Sequence, residues 1–538
     1  MLRSRRLGAF AICLLLAVAH TWPLALDPGR YSRNDNADAE LNTWIMAWVA
    51  HQLPRDPFNL FEANIFYPAH DALAFSEPLI VPALMGAPLA WSGASPVLVH
   101  NLVLILGFAL TAFTVCVIVQ SWTGSLAAGL LAGSAIAFNT HTLTRTAHIQ
   151  AIHLYGLPLA LFGLERLIRG GCYRSALVIA AGFVLTAYTS GYLVVFTAVA
   201  IAIALLVRMR EWLPRLRHVG PRLVVAGVVA ALAIAPVYLP YRRVAREQKM
   251  LRSIDVVKDY SATPAGYLAS AGRMHFATWS HRFFKDPVDS FFPGITVLGL
   301  AVTALVLAAR RRFEDDDPVR ARIWMLVGMA TVGFVLSLGT ATPMYGWLFQ
   351  IFPPMQGLRA AARFGNLFLL GTGILAGIGL ALWRPRAVVA AALVAAVNVE
   401  ALRAPFIYKP FSGIPELYRL IADEPGPVVV AEQPFFPRWA IFQNSPYVLA
   451  STAHWRPLMN GYSGYTPDSY QRYADAFWYF PEAWAIQAMK DAGVTHVMVH
   501  VAAFHKDRMA VVPVLDKRPD FELIAVGRND LRLYRLKR

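Results

Sequence analysis

The chain is 538 residues long, and 57% of it is hydrophobic while only 15% is charged. Soluble proteins carry about 25% charged residues, so a composition this poor in charge excludes an ordinary cytosolic or secreted globule and makes a membrane protein the expectation. The excess of 49 Lys+Arg over 33 Asp+Glu gives +16. These cations sit in short runs between apolar stretches rather than on one soluble face, so they argue for membrane orientation and against nucleic-acid binding.

Three arginines precede an almost wholly apolar run over 7–26. No small-residue cleavage site comes before Trp22-Pro23, so this run is expected to be an uncleaved first transmembrane helix with a cytoplasmic amino terminus. Further apolar runs lie near 97–119, 125–138, 149–167, 175–188, 191–207, 223–239, 294–309, 323–339, 363–382 and 387–403. The expected architecture is an α-helical polytopic membrane protein of about eleven spans.

The connecting charges support this register. Arg166, Arg169 and Arg174, then Arg208, Arg210, Arg215, Arg217 and Arg222, then Arg310, Arg311, Arg312, Arg320 and Arg322, and finally Arg384 and Arg386 all fall in loops on one side. That is the positive-inside pattern, and it places residues 405–538 on the outer face. The expected division is a transmembrane domain over 1–404, including a long first outer loop at 27–96, and an extracytoplasmic α/β domain over 405–538. The acidic run Glu314-Asp315-Asp316-Asp317 is expected to be a solvated inner loop.

Within the first outer loop, Leu41, Trp44, Ile45, Trp48, Val49 and Leu53 repeat at helical spacing. Such a helix lies along the membrane surface or packs on other helices. In the tail, 427–432 and 494–500 are expected to be buried strands, 468–491 helical, and 521–526 with 531–536 a closing hairpin. Cys13, Cys116 and Cys172 lie in or beside apolar segments, without metal-ligand spacing. No metal or other cofactor is expected, although a divalent ion stays open.

Asp35, Asp38 and Glu40 stand just beyond the first span. An ionised carboxylate there can take the proton of an attacking hydroxyl, or Asp38 can simply cap the helix that follows. Arg242, Arg243, Arg246, Lys249 and Arg252 follow the seventh expected span on the outer side and fit either a substrate phosphate or lipid headgroups. Arg359 and Arg363 are four apart, a spacing that on a helix puts two guanidiniums on one face for fork-like phosphate binding; interfacial anchoring is the alternative. Arg145 and His148 head the fourth span and are expected to face the same cavity, unless His148 is structural. His454 and the stretch to Gly464 are polar and glycine-rich, which turn formation also explains, and Tyr462 and Tyr465 could stack on sugar rings.

Several stretches together resemble a known group. They are Asp38-Ala-Glu-Leu-Asn-Thr-Trp-Ile-Met-Ala-Trp48, Asp56-Pro, Asn64-Ile-Phe-Tyr-Pro68, Phe75-Ser-Glu77, Arg145-Thr-Ala-His148-Ile-Gln150, Gly357-Leu-Arg359-Ala-Ala-Ala-Arg363-Phe and His454 through Asn460 to Gly464. They resemble the bacterial membrane glycosyltransferases of the GT-C superfamily, relatives of protein O-mannosyltransferases and lipid A aminoarabinose transferases. The resemblance implies transfer of a sugar from a polyprenyl-phosphate donor to a glycan, lipid or protein acceptor at the outer face of the bacterial inner membrane. It maps the catalytic acid–base group onto Asp38, with Asp35 and Glu40 as near misses and Glu77 as a candidate second acid. Here alanine separates Asp38 from Glu40, whereas many members show a paired acidic motif. The competing class is a transporter or flippase for lipid-linked sugars, or a non-catalytic assembly protein. Transporters of that kind often carry inverted repeats, and no internal symmetry is visible.

Overall fold

The computed structural model describes residues 2–33, 35–248, 253–284, 290–310, 317–504 and 511–537. Asn34, Lys249, Arg252, Arg311, Arg312 and Glu314-Asp315-Asp316 lie outside the described residues. The chain forms two compact units. One comprises Met1–Pro28, Asn101–Tyr238 and Leu251–Ile407; the other comprises Gly29–His100, Leu239–Met250 and Tyr408–Arg538.

The first unit is helical. Every apolar run beyond the first becomes a helix, among them Pro96–Thr123, Leu126–Ala137, Gly156–Ile168, Gly191–Val207, Leu216–Glu247, Pro318–Ser337 and Gly365–Trp383. The opening helix covers Leu2–His20 rather than 7–26, because Trp22-Pro23 breaks the pattern. Among the described residues, six helices are long and apolar enough to cross a bilayer, and five more apolar helices are shorter. A chain of this kind is an integral membrane protein.

Close approach within the unit depends on small residues. A Cβ on Gly129 would meet the Cys116 carbonyl, and one on Gly133 the Ala112 carbonyl. These glycines, four apart, let Leu126–Ala137 lie directly against the backbone of Pro96–Thr123. Lipid tails are as apolar as leucine, so such van der Waals packing takes over the role that hydrophobic burial has in water.

Two arginines from the expected inner loops are buried. Arg208 and Arg322 close on the Glu165 carboxylate, with side-chain exposures of 1%, 5% and 3%. Arg322 Nη2 donates to Glu165 Oε1 at 2.7 Å, Arg208 donates to Glu165 Oε2, and Arg208 also pairs with Glu211 at 2.6 Å. The reason is electrostatic: an arginine beside a membrane helix can reach water, or it can be neutralised by a carboxylate. Glu400 plays a similar part at the start of Ile295–Arg310, where it accepts the backbone N–H of Ile295 at 2.5 Å and of Thr296 at 3.0 Å.

The second unit contains a four-stranded sheet. Its strands follow a two-residue pair, β1 Tyr31–Ser32 and β2 Lys409–Pro410, which is antiparallel. They are β3 Val430–Gln433, β4 His496–His500, β5 Phe521–Val526 and β6 Leu531–Leu536, in the order β3-β4-β6-β5. β3 and β4 are parallel, while β6 runs antiparallel to both β4 and β5. Helices Asp468–Phe477 and Ala483–Asp491 supply the crossover from β3 to β4 that parallel pairing requires.

This unit departs from a boundary at 405, because the first outer loop folds into it. Leu458 donates its N–H to the Asn64 carbonyl at 2.7 Å, Tyr67 to the Leu458 carbonyl at 3.0 Å, and Phe66 to the Asn460 carbonyl at 3.1 Å. Helix Ala37–Gln52 is buried over most of its circumference, Trp44 and Ile45 included, so it packs on neighbouring helices of its own unit instead of showing a single apolar stripe.

Candidate active site

In the second unit the site begins at the amino end of helix Ala37–Gln52. The cap is Asn36, whose side chain accepts the backbone N–H of Asp38 at 2.9 Å. The capping role considered for Asp38 therefore belongs to Asn36, because the helix starts at Ala37, two residues earlier than a cap at Asp38 would require. Asp38 sits half-buried in the first turn, where the unpaired N–H groups and the helix dipole favour a negative charge.

Tyr462 then fixes the carboxylate. Its hydroxyl donates to Asp38 Oδ1 at 2.7 Å. A buried amide network holds the chain around Tyr462. Asn460 accepts the N–H of Glu432 at 2.7 Å and donates to the Glu432 carbonyl at 3.1 Å. Asn444 donates to the Gly461 carbonyl at 3.1 Å and contacts Tyr470 Oη at 2.6 Å. Gly461 lies so close to the Phe66 ring that any Cβ would collide with it. The tyrosine is thus a hydrogen-bond donor to the proposed base, a role that no local pattern suggests.

Glu40 faces elsewhere. It is 7% exposed, and Ser445 Oγ donates to its Oε2 at 2.5 Å. Burial pushes its pKa up to about 7, against the opposing effects of Ser445 and Lys409. A raised folded pKa means the native state holds a proton that the unfolded chain has lost above about 4.5. The associated stability is complete below that value and disappears as pH rises through about 7. Glu40→Gln is therefore expected to flatten the thermal midpoint between pH 5 and 8, with a gain on the order of 1–3 kcal/mol at pH 8 and little change at pH 5. Thermal unfolding at the two pH values checks this; an unchanged slope in the variant would refute it.

The remaining candidates in this unit are less suited to chemistry. Asp35 is exposed and tied to Arg33, with contacts of 2.9 and 3.3 Å. Glu77 lies half-buried between the turn Ala72–Phe75 and helix Ile80–Trp91. Arg242, Arg243 and Arg246 are exposed on the last turns of Leu216–Glu247, and Arg243 pairs with Asp71 at 3.2 Å. His454 is 4% exposed, stacks on Tyr418, and accepts the Arg456 N–H at 2.9 Å through Nδ1. Burial lowers its pKa to about 3, so it is a neutral ring that offers no charge to a phosphate.

In the first unit a pocket is lined by Arg145, His148, Gln150, Ser190, Tyr192, Arg363 and Asn366, together with His141 and apolar neighbours. None of these lining residues carries a carboxylate. Ser190 caps helix Gly191–Val207, accepting the Tyr192 N–H at 3.2 Å, so the first turn of that helix lies at the pocket and adds the positive end of a helix dipole. Arg363 stacks on Tyr192 at 4.3 Å, which orients its planar fork. Arg145, His148 and Arg363 are thus brought together as the sequence suggested.

Arg359 is not. The segment 358–360 is extended and Arg363 belongs to the short turn Ala361–Phe364, so the two arginines do not share a helical face. Arg359 stacks on Tyr260 at 5.1 Å instead, and its backbone N–H donates to Tyr192 Oη at 3.1 Å. Tyr192, His141 and Asn366 were missed as pocket residues, because apolar spans mask single polar positions. Among the described residues, no group of three His, Cys, Asp or Glu side chains stands close enough to hold a metal ion.

No protein-family model and no curated protein matches the sequence. Among solved structures, the chain matches the arabinofuranosyltransferase AftD from mycobacteria over its whole length, with a TM-score of 0.60 at 17% identity. The chain shares the fold of the matched part of AftD. It spans 40% of the AftD chain, so the likeness covers less than half of that protein. A mutant AftD structure gives the same TM-score at 16% identity. The apo structure of ArnT from Cupriavidus metallidurans aligns over 99% of this chain and 98% of its own at 11% identity, with a TM-score of 0.43. At such identities the likeness to AftD speaks for the fold alone.

Proposed function

We propose that the protein is an integral membrane glycosyltransferase that moves a sugar from a polyprenyl-phosphate donor to an acceptor hydroxyl at the outer face of the bacterial inner membrane. The observation that carries this reading is the Asp38 carboxylate, held at a helix amino end by Tyr462 on a chain that shares the fold of the matched part of AftD. As the acceptor hydroxyl forms its bond to the anomeric carbon, its proton passes to Asp38. The bond from that carbon to the phosphate oxygen breaks, and polyprenyl phosphate leaves with the electron pair. A direct displacement of this kind inverts the anomeric centre.

Within the helical unit, the pocket of Arg145 and Arg363 offers cations and no carboxylate, which suits the phosphate of a lipid-linked sugar. Arg145→Ala and Arg363→Ala are each expected to lower kcat/KM for the donor by about ten- to a hundredfold, the value of one charge-assisted bond. Titration of donor at fixed acceptor measures this, and unaltered donor dependence in both variants would remove the pocket from the reaction. The reading as a whole is tested by incubating purified protein with a panel of polyprenyl-phosphate sugars. Consumption of one donor is the expected result. Movement of an intact lipid-linked sugar across proteoliposomes without consumption would instead favour the transporter.

A further inference from the structure

Four aromatic side chains of the second unit stand out from its surface. Trp439 is 77% exposed, Phe442 52%, Tyr479 50% and Trp484 52%. They are not scattered. Trp439 meets Trp478 edge-on at 6.4 Å between ring centroids, Trp478 adjoins Tyr479 in sequence, and Tyr479 lies 5.1 Å from Trp484. The result is a ridge of two ring pairs joined through the backbone of Trp478 and Tyr479, and exposed aromatic surface of this kind marks an interaction site.

Polar groups flank the ridge in a regular way. Gln471 donates to Asp475 at 2.6 Å and Gln487 to Asp491 at 2.8 Å, each pair one helical turn apart. Asp475 is three and four residues before Trp478 and Tyr479, and Gln487 is three after Trp484. Asp475 is thus on the helix face that ends at Trp478, and Gln487 is on the face of Trp484, so each pair shares a face with one ring. Flat rings with amides and carboxylates at their edges suit a sugar: its C–H face lies on the ring while its hydroxyls donate to and accept from the rim.

Charge separates this occupant from a lipid surface. Asp468, Asp475, Glu482 and Asp491 outnumber Arg438, Arg472 and Lys490, and Lys490 is committed to Asp520 at 2.9 Å. Interfacial membrane anchors are rich in Lys and Arg beside their aromatic face, and among these described residues the cations are outnumbered. We propose that the ridge from Trp439 to Trp484 binds a neutral, polyhydroxylated glycan chain. Resting on the transferase reading, this names a neutral glycan as the acceptor class.

The test uses the full chain in detergent and in nanodiscs, without donor. Neutral hexasaccharides of mannose, galactose and arabinose are titrated by calorimetry and intrinsic fluorescence. At least one is expected to bind, and Trp439→Ala and Trp484→Ala, both at exposed positions, are each expected to weaken it about tenfold or more. No binding by the wild type, or equal binding by the variants, overturns the proposal. Stronger quenching of the wild type than of the variants by brominated phospholipids would also overturn it and assign the ridge to the membrane. Donor consumption by the wild type is scored separately. Consumption without glycan binding leaves the transferase reading standing alone, whereas glycan binding without consumption leaves only the ridge.

Discussion

Asp38→Asn is expected to lower sugar transfer by about two to four orders of magnitude, the range lost when a positioned general base is removed. The substitution is nearly isosteric, and the amide oxygen can still accept from Tyr462. It removes one charge from the first turn of Ala37–Gln52, which costs roughly 0.3–1 kcal/mol, so the protein stays folded. Tyr462→Phe separates positioning from proton transfer. It leaves the carboxylate in place but lets it turn, and a loss of about tenfold is expected. Single-turnover assays with the preferred donor, beside thermal unfolding of each variant, measure both. An Asp38→Asn protein that retains a tenth of wild-type turnover would shift the base to another carboxylate, with Glu77 the first to examine.

Glu165→Ala is expected to have the largest effect on stability. It leaves Arg322 with no carboxylate partner among the described residues and strips Arg208 of one of its two. Breaking a buried pair in this way costs on the order of 3–5 kcal/mol, because the remaining cation is desolvated without compensation. Arg322 would keep only the Trp122 carbonyl at 3.3 Å and the Trp122 ring at 5.2 Å. Thermal unfolding in detergent should show a midpoint lowered by several degrees, together with poorer expression. Glu165→Gln retains the acceptor oxygen and should lose less. A Glu165→Ala protein as stable as the wild type would mean that water reaches these arginines.

The helices could be read from the sequence because their signal is local. Apolar runs of membrane length and the hairpin over 521–536 announce themselves within a few residues, through hydropathy or alternation. The carboxylate at position 38 was legible for the same reason, since it opens a helix whose periodicity is plain. The arginines misled in two ways. Arg208 and Arg322 fit the orientation pattern by position, yet Glu165 draws them inside from 43 and 157 residues away. Arg359 and Arg363 have helical spacing, but Pro353-Pro354 and the tight turns that follow deny them a helix.

Sequence by itself therefore determined the class of molecule and the places of its apolar helices, and it singled out Asp38. Tertiary structure alone decided which side chains meet that carboxylate. The hydroxyl of Tyr462 reaches Asp38 across 424 positions of chain, and Ser445 reaches Glu40 across 405. Such pairs leave no periodic trace, because they arise from the complementary shapes of two distant segments. The same holds for the Arg145–Arg363 pocket, whose members meet only when their helices pack.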